Sequence, residues 1–158
     1  MGKRELDFMQ IAVNLSKKGM EEEKGGPFGA IVVKGDEVVG QGFNSVLEYN
    51  DPTAHAEVMA IRDACKRLNS FQLEGCEIYT SCEPCPMCLG AIYWARPDKI
   101  YYANDRKDAA DAGFDDSFIY EEISLPVSKR SIPMYQIDNK EALESFINWK
   151  RKVNKTNY

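Results

Sequence analysis

The sequence contains one histidine in 158 residues, and this scarcity limits the chemistry that it can support. Any reaction or metal site that needs an imidazole must use His55. No apolar run approaches the roughly 20 residues that a membrane-spanning helix requires. The first residues lack the apolar segment of a signal peptide, so none is expected. Repeats, low-complexity segments and linkers are also lacking, and we predict a single domain over residues 1–158.

Positive charge is scarce as well, with 20 Lys and Arg against 25 Asp and Glu and a formal net charge of −5. Neutralising the phosphates of a nucleic acid needs clustered Lys and Arg, so we expect no nucleic-acid partner. The five cysteines are an odd number, which disfavours a disulfide framework and favours a reducing compartment. We therefore predict a cytoplasmic protein without a membrane partner, with Cys65, Cys76 and Cys82 as free thiols in or near the core.

The chain does contain one set of metal-ligating residue types. Cys85 and Cys88 are spaced i, i+3, which places both sulfurs on one face of a helical turn. Together with His55 they offer one nitrogen and two sulfurs, a set that suits zinc and leaves one tetrahedral position open, as in catalytic sites. Water in such a position loses a proton near neutral pH. The pattern predicts one Zn²⁺ on His55, Cys85 and Cys88, with Glu57 as the general acid and base.

Three simpler interpretations compete with a catalytic zinc site. Cys82 lies three residues before Cys85, and as a fourth ligand it would close the site into a zinc-stabilised interaction module. A redox Cys-x-x-Cys needs a thioredoxin-like context that the preceding hairpin pattern does not supply. Glu57 could simply be a carboxylate favoured by a helix N-terminus. Its position two residues from the only histidine favours acid–base chemistry instead.

Apolar periodicity and turn residues predict alternating helices and strands. A first helix ends near Gly19, and a β-hairpin turns at Gly35-Asp36. After a loop at residues 46–50, Asp51-Pro52 predicts the start of a second helix. Its core-facing stripe is Val58, Ile61, Cys65 and Leu68. The later elements are a strand at 76–81, a helix from about Cys85 to before Pro97, a strand at 99–103, helical residues 109–122, a strand at 132–137 and a last helix capped by Asp138.

The order of these elements, αββαβαβαβα, predicts an α/β fold in which helices cover both faces of a sheet. We expect a three-layer α/β/α sandwich with a central mixed five-stranded sheet. Residues i and i+2 lie about 200° apart in mid-helix, so His55 and Glu57 can share a site only where the chain enters the helix. The sequence therefore predicts that the site lies at helix N-termini.

Four stretches of the chain together resemble a known enzyme family. His-x-Glu followed by Pro-Cys-x-x-Cys is a signature of zinc nucleobase deaminases. The chain resembles the short, zinc-dependent guanine deaminases of bacteria, within the cytidine-deaminase-like superfamily, over nearly its whole length. Residues 113–118 and the last residue, Tyr158, are what point to guanine, since cytidine and tRNA-adenosine deaminases share the zinc motif. The stretches that carry the resemblance are residues 25–30, 50–57, 79–97 and 112–120.

The resemblance implies the cytidine-deaminase-like fold and hydrolysis of guanine to xanthine and ammonia at one zinc per chain. Glu57 would take a proton from the attacking water, which adds to C2 of guanine, and would return protons to the ring nitrogen and the departing amine. The resemblance also implies a homodimer, and exchange of the C-terminal segments, residues 138–158, is one way to form it.

The resemblance further assigns the substrate contacts. Phe28 would stack on the purine, and Asn44 would hydrogen-bond the edge of the purine ring. Asp116 would contact the substrate and help to shuttle protons, while Tyr158 would close the pocket from the C-terminal end. From the residues alone, a simpler structural role remains open for three of these positions. Phe28 could be a core residue, Asn44 a turn residue and Asp116 part of a helix cap. Adenosine deamination in tRNA is the competing activity, and it would need a basic surface.

Overall fold

The computed structural model describes all 158 residues, which divide into two compact units, Met1–Ser117 and Phe118–Tyr158. The prediction of one domain therefore remains a prediction. None of the helices is both long enough and apolar enough to cross a bilayer.

The first unit contains one mixed sheet of four strands. The strands are β1 (Gly29–Lys34), β2 (Glu37–Phe43), β3 (Cys76–Cys82) and β4 (Lys99–Asn104). Their order in the sheet is β2-β1-β3-β4. β1 pairs antiparallel with both β2 and β3, whereas β3 pairs parallel with β4. The predicted hairpin is confirmed, and so are the α/β class and the mixed sheet.

The helices of the first unit are α1 (Lys3–Glu21), α2 (Val46–Tyr49), α3 (Ala56–Leu68), α4 (Pro86–Ala95) and α5 (Arg106–Asp111). Side chains of a strand alternate between the two faces of a sheet, and β1 and β3 carry apolar residues on both. Their even-numbered residues pack against α3 and α4, and their odd-numbered residues pack against α1.

α3 packs closely on β2 because small residues meet at the contact. Ala56, Ala60 and Ala64 recur every four residues and are fully buried. A Cβ at Gly42 would lie 2.6 Å from the carbonyl oxygen of Ala56, so the strand can approach the helix only without a side chain there. The predicted stripe is confirmed for Ile61, Cys65 and Leu68, which are partly buried against the core, but it missed this row of alanines. The close contact holds the start of α3 against the sheet.

Several predicted boundaries also differ from the structure. Asp51 does not cap α3, because its Oδ1 accepts a hydrogen bond from the backbone N–H of Thr53 at 2.8 Å and forms a local turn. The predicted loop at residues 46–50 contains the short helix α2. α1 does not end at Gly19 but continues to Glu21. Gly19 serves packing instead, because a side chain there would collide with the ring of Phe43.

The second unit contains helices only, and the predicted fifth strand at residues 132–137 is wrong. Residues 132–137 are irregular and pair with no strand, so the sheet has four strands instead of five. Pro133 cannot donate to a ladder, and Tyr135 and Ile137 are each 85% exposed. The elements are α6 (Ser117–Ser124), which begins at the unit boundary, a 3₁₀ helix at Val127–Lys129 and α7 (Lys140–Arg151). Asn139, not Asp138, caps α7 by accepting from the N–H of Ala142.

Candidate active site

Two helix N-termini carry the predicted metal ligands. His55 is the N-cap of α3, and Cys85 is the N-cap of α4 with Cys88 in the following turn. Pro86 occupies the first helical position, where its fixed φ suits a helix start. The N–H of Cys88 donates to Sγ of Cys85 at 3.5 Å. The partial positive charge of a helix N-terminus favours the thiolate form of such cysteines.

The three ligand atoms lie close enough to share one metal ion. Nδ1 of His55 is 3.5 Å from Sγ of Cys85 and 3.4 Å from Sγ of Cys88. All three atoms lie within 4.8 Å of one another. Tetrahedral zinc with ordinary Zn–N and Zn–S bonds separates nitrogen from sulfur by about 3.5 Å. The donor set and its spacing therefore fit zinc, as the sequence predicted.

Cys82 does not belong to this cluster. Its Sγ lies 3.6 Å from the carbonyl oxygen of Asp105, to which it donates, and burial raises the pKa of its thiol to about 11. The metal-ligating cluster consists of His55, Cys85 and Cys88 alone. Three protein ligands leave a tetrahedral position for water, which is the arrangement of a catalytic zinc site.

The two cluster thiols are coupled by a hydrogen bond. The hydrogen bond from Cys88 lowers the pKa of Cys85 to about 4, and His55 adds to this effect. The same hydrogen bond raises the pKa of Cys88, as does burial. Hydrogen bonding to Cys85 also raises the pKa of His55. The cluster thus holds a thiolate at neutral pH, and the thiolate is the form of cysteine that binds metal.

Glu57 is buried beside the cluster, at the second helical position of α3 and 6% exposed. Its Oε1 accepts a hydrogen bond from Oγ1 of Thr80 at 3.3 Å, and a hydrogen bond also links it to Cys88. Burial raises the pKa of Glu57 above its ordinary value. A carboxyl group that retains a proton more strongly is suited to general acid–base work. The start of the helix brings His55 and Glu57 to one site.

Asn44 lies at the end of β2 and is also 6% exposed. Its Oδ1 accepts from the N–H of Val46 at 3.2 Å, and its backbone N–H donates to the carbonyl of Phe28 at 3.0 Å. Any side chain at Gly25 would collide with Oδ1 of Asn44. Oδ1 of Asn44 therefore stabilises a turn. The side-chain amide has two N–H donors that this contact does not use, and they can bond another acceptor.

Phe28 is partly buried against the core and packs edge-on against Phe114. The two ring centroids are 4.9 Å apart, and the ring planes meet at 88°. Phe114 was not predicted as a site residue, although it lies in the stretch 113–118 that carried the family resemblance. It follows Gly113, whose φ of +93° turns the chain after α5.

Asp115 and Asp116 do not form a cap pair. Oδ1 of Asp115 accepts from the N–H of Ser117 at 2.9 Å, and this bond lowers the pKa of Asp115. Asp116 is partly buried, and burial raises its pKa. Arg106 opposes that rise, and Cys85 adds to it.

Tyr158 lies in the second unit, whereas the metal ligands lie in the first. Its ring packs against Trp149, with centroids 6.5 Å apart at an angle of 68°, and Tyr158 is 68% exposed. Its role in covering the pocket remains a prediction.

Comparison with known proteins identifies the class to which this site belongs. Residues 3–104 match the cytidine and deoxycytidylate deaminase zinc-binding region. This chain belongs to that family of zinc-dependent deaminases. It is 55% identical over 151 residues to the guanine deaminase of Bacillus subtilis, covering 96% of this chain and 97% of that protein.

A solved structure agrees with the sequence comparison. The X-ray structure of guanine deaminase from Bacillus subtilis has a TM-score of 0.95 at 53% identity, covering 100% of this chain and 99% of that chain.

Sequence similarity to tRNA-specific adenosine deaminases covers less of the chain. The enzyme of Aquifex aeolicus is 46% identical over 63% of this chain and 66% of that protein. The predicted resemblance to guanine deaminases is confirmed over nearly the whole chain, whereas the similarity to the tRNA enzyme is partial.

Proposed function

We propose that this protein is a guanine deaminase that hydrolyses guanine to xanthine and ammonia. The observation that carries the proposal is the near full-length similarity to the Bacillus subtilis guanine deaminase, shared by sequence and structure. In the reaction, the bond from C2 of guanine to its exocyclic nitrogen breaks, and a bond from C2 to the oxygen of water forms. The chain needs to bind the base, position water and move protons.

His55, Cys85 and Cys88 would hold the zinc ion, which when bound brings the pKa of water toward neutrality. Glu57 accepts the proton of the attacking water and returns protons to the ring nitrogen and the leaving amine. Its burial strengthens its electrostatic interaction with the reacting atoms, because the local dielectric is low. Proton transfer by a positioned group contributes typically about 10²–10⁴-fold to the rate.

Four further residues bind the purine in this proposal. Phe28 stacks on the flat ring, and the free amide N–H groups of Asn44 donate to an acceptor on its edge. Asp116 accepts a purine N–H and helps to shuttle protons, and its raised pKa supports that role. Tyr158 covers the pocket from the C-terminal end, with an aromatic ring and a hydroxyl suited to a purine edge.

Ammonia release from a panel of substrates tests the activity. We expect zinc-loaded protein to release ammonia from guanine, and not from guanosine, cytidine, adenosine or a tRNA anticodon stem. Release from the tRNA with none from guanine would identify a tRNA adenosine deaminase, the activity named for the partly similar Aquifex protein. No turnover, with zinc held by four protein groups, would identify an interaction module.

We also propose a cytoplasmic homodimer that binds no nucleic acid. The net charge of −5 disfavours a polyanionic partner, and the five free cysteines suit a reducing compartment. α7 exposes apolar side chains, with Leu143 at 63% and Phe146 at 76%. Exchange of residues 138–158 between chains would cover them. Light scattering should give the mass of a dimer, and a chain ending at residue 137 should give a monomer if the exchange forms the dimer.

A further inference from the structure

Thr80 is a buried hydroxyl residue of β3 that faces the candidate active site. It is 1% exposed and lies opposite Ala30 of β1 and Tyr102 of β4. Even-numbered side chains of β3 face the layer of α3 and α4, which directs Thr80 toward the start of α3. There its Oγ1 donates to Oε1 of Glu57 at 3.3 Å, and both residues are buried.

We propose that Thr80 is a positioning residue that orients the Glu57 carboxylate for proton transfer, an inference that rests on the proposed function. A glutamate side chain has several rotatable bonds, and one hydrogen bond on Oε1 restricts how the carboxylate turns. Thr80 is a rigid donor for this purpose, because its branched Cβ restricts χ1 and its backbone is fixed in the sheet. A carboxylate offers about four acceptor positions, so the bonds from Thr80 and Cys88 leave others to exchange protons with water and substrate.

A purely structural role would explain the same hydrogen bond, since buried hydroxyl groups are almost always hydrogen-bonded. The next residue of the strand provides a matched control. Ser81 is 4% exposed, and its Oγ accepts from the backbone N–H of Gly29 at 3.0 Å. Odd-numbered side chains of β3 face α1, so Ser81 lies on the opposite face of the sheet. The hydroxyl of each residue makes one buried hydrogen bond, but only the hydroxyl of Thr80 bonds Glu57.

The primary variant is Thr80→Val, which keeps the shape of the side chain and removes the hydroxyl. We expect kcat for guanine to fall by about 10–100-fold, because small misplacements of reacting groups have effects of this size. KM for guanine and zinc content should stay near the wild-type values, since Thr80 touches neither. Thr80→Ser, which restores the donor, should recover most of kcat, and Ser81→Ala should leave kcat unchanged.

A double variant tests whether Thr80 acts through Glu57. In a Glu57→Gln background, Thr80→Val should cause no further loss of the residual guanine turnover, because the group that it positions is already disabled. The role is overturned if Thr80→Val keeps wild-type kcat, if Ser81→Ala loses as much, or if Thr80→Val causes an equal loss in both backgrounds. Should Thr80→Val fail to fold, the same comparisons use Thr80→Ala. Wild-type protein that releases no ammonia from guanine would instead overturn the proposed function.

Discussion

The two compact units differ most in how far their apolar side chains are buried. In Met1–Ser117, residues such as Ile31 and Ile78 are completely buried between the sheet and its helices. In Phe118–Tyr158 no residue is buried, and Phe146 is 76% exposed. Since hydrophobic stabilisation grows with the apolar area removed from water, the first unit can stabilise itself. The metal ligands therefore lie in the unit that has its own core, whereas the apolar residues of the second unit are exposed.

The largest effect should come from His55→Ala, which removes the only nitrogen ligand of the first unit. We expect loss of zinc, loss of detectable guanine turnover and a lower melting temperature, because a metal bound only by the folded state stabilises it. Elemental analysis and calorimetry measure these effects. Cys65→Ala is the control, since Cys65 lies outside the cluster and should keep its zinc. A zinc-replete, active His55→Ala protein would contradict the ligand set.

Deleting residues 154–158 tests whether the second unit contributes to the chemistry. If Tyr158 covers the purine as proposed, we expect guanine turnover to fall about 10-fold or more, because the deletion removes that ring. Zinc content and melting temperature should change little, since nearly all of the deleted residues are exposed. Tyr158→Phe separates the ring from the hydroxyl. A truncated protein as active as the full chain would show that the tail is dispensable.

Gly42→Ala tests the close packing that stabilises the first unit. The added methyl group would meet the backbone of α3, and we expect the free energy of unfolding to fall by about 1–3 kcal/mol. Urea unfolding measures the change. Gly90→Ala is the matched control, because nothing lies within 4 Å of its added Cβ in α4, and alanine should stabilise the helix slightly. Equal stabilities for the two variants would refute the close contact.

The smallest effect concerns pH and the ion pair that joins α1 to β3. Nη1 of Arg4 lies 2.8 Å from Oε2 of Glu77, and this hydrogen bond lowers the pKa of Glu77. The pair therefore contributes above the unfolded pKa of glutamate and is lost as pH falls through the lowered folded value. In unfolding experiments, the difference between wild type and Glu77→Gln should shrink below about pH 4. A stability difference between the two proteins that grows as pH falls would contradict a lowered pKa of Glu77.

Sequence patterns predicted the elements whose causes are local. The Gly-Asp turn between β1 and β2 and the Pro-Cys-x-x-Cys helix start depend on neighbouring residues, and both were predicted correctly. The fully buried alanines of α3 were missed, because they pack against Gly42, a residue of another element whose lack of a side chain allows the close approach. The contact of Thr80 with Glu57 likewise depends on which helix packs against that face of the sheet, and no local sequence pattern contains this information.

The second unit shows the other limit of prediction. The apolar residues between Ile132 and Ile137 resemble a strand, but a strand forms only where another strand offers hydrogen bonds. Residues 132–137 pair with none of the four strands of the sheet, whose order is β2-β1-β3-β4. Alternating apolar residues are thus equally consistent with a surface that a second copy covers, and the sequence alone does not separate the two cases.

In the proposed mechanism, Glu57 moves protons in a three-ligand zinc site that acts on guanine. The most direct test is ammonia release from guanine by Glu57→Gln protein that contains one zinc per chain. Gln can still accept the hydrogen bond of Thr80, but it cannot take a proton. We predict kcat at least about 100-fold below wild type at full zinc content. A zinc-replete Glu57→Gln protein with near-wild-type kcat would contradict the claim, and Asp116 would then be the first group to examine.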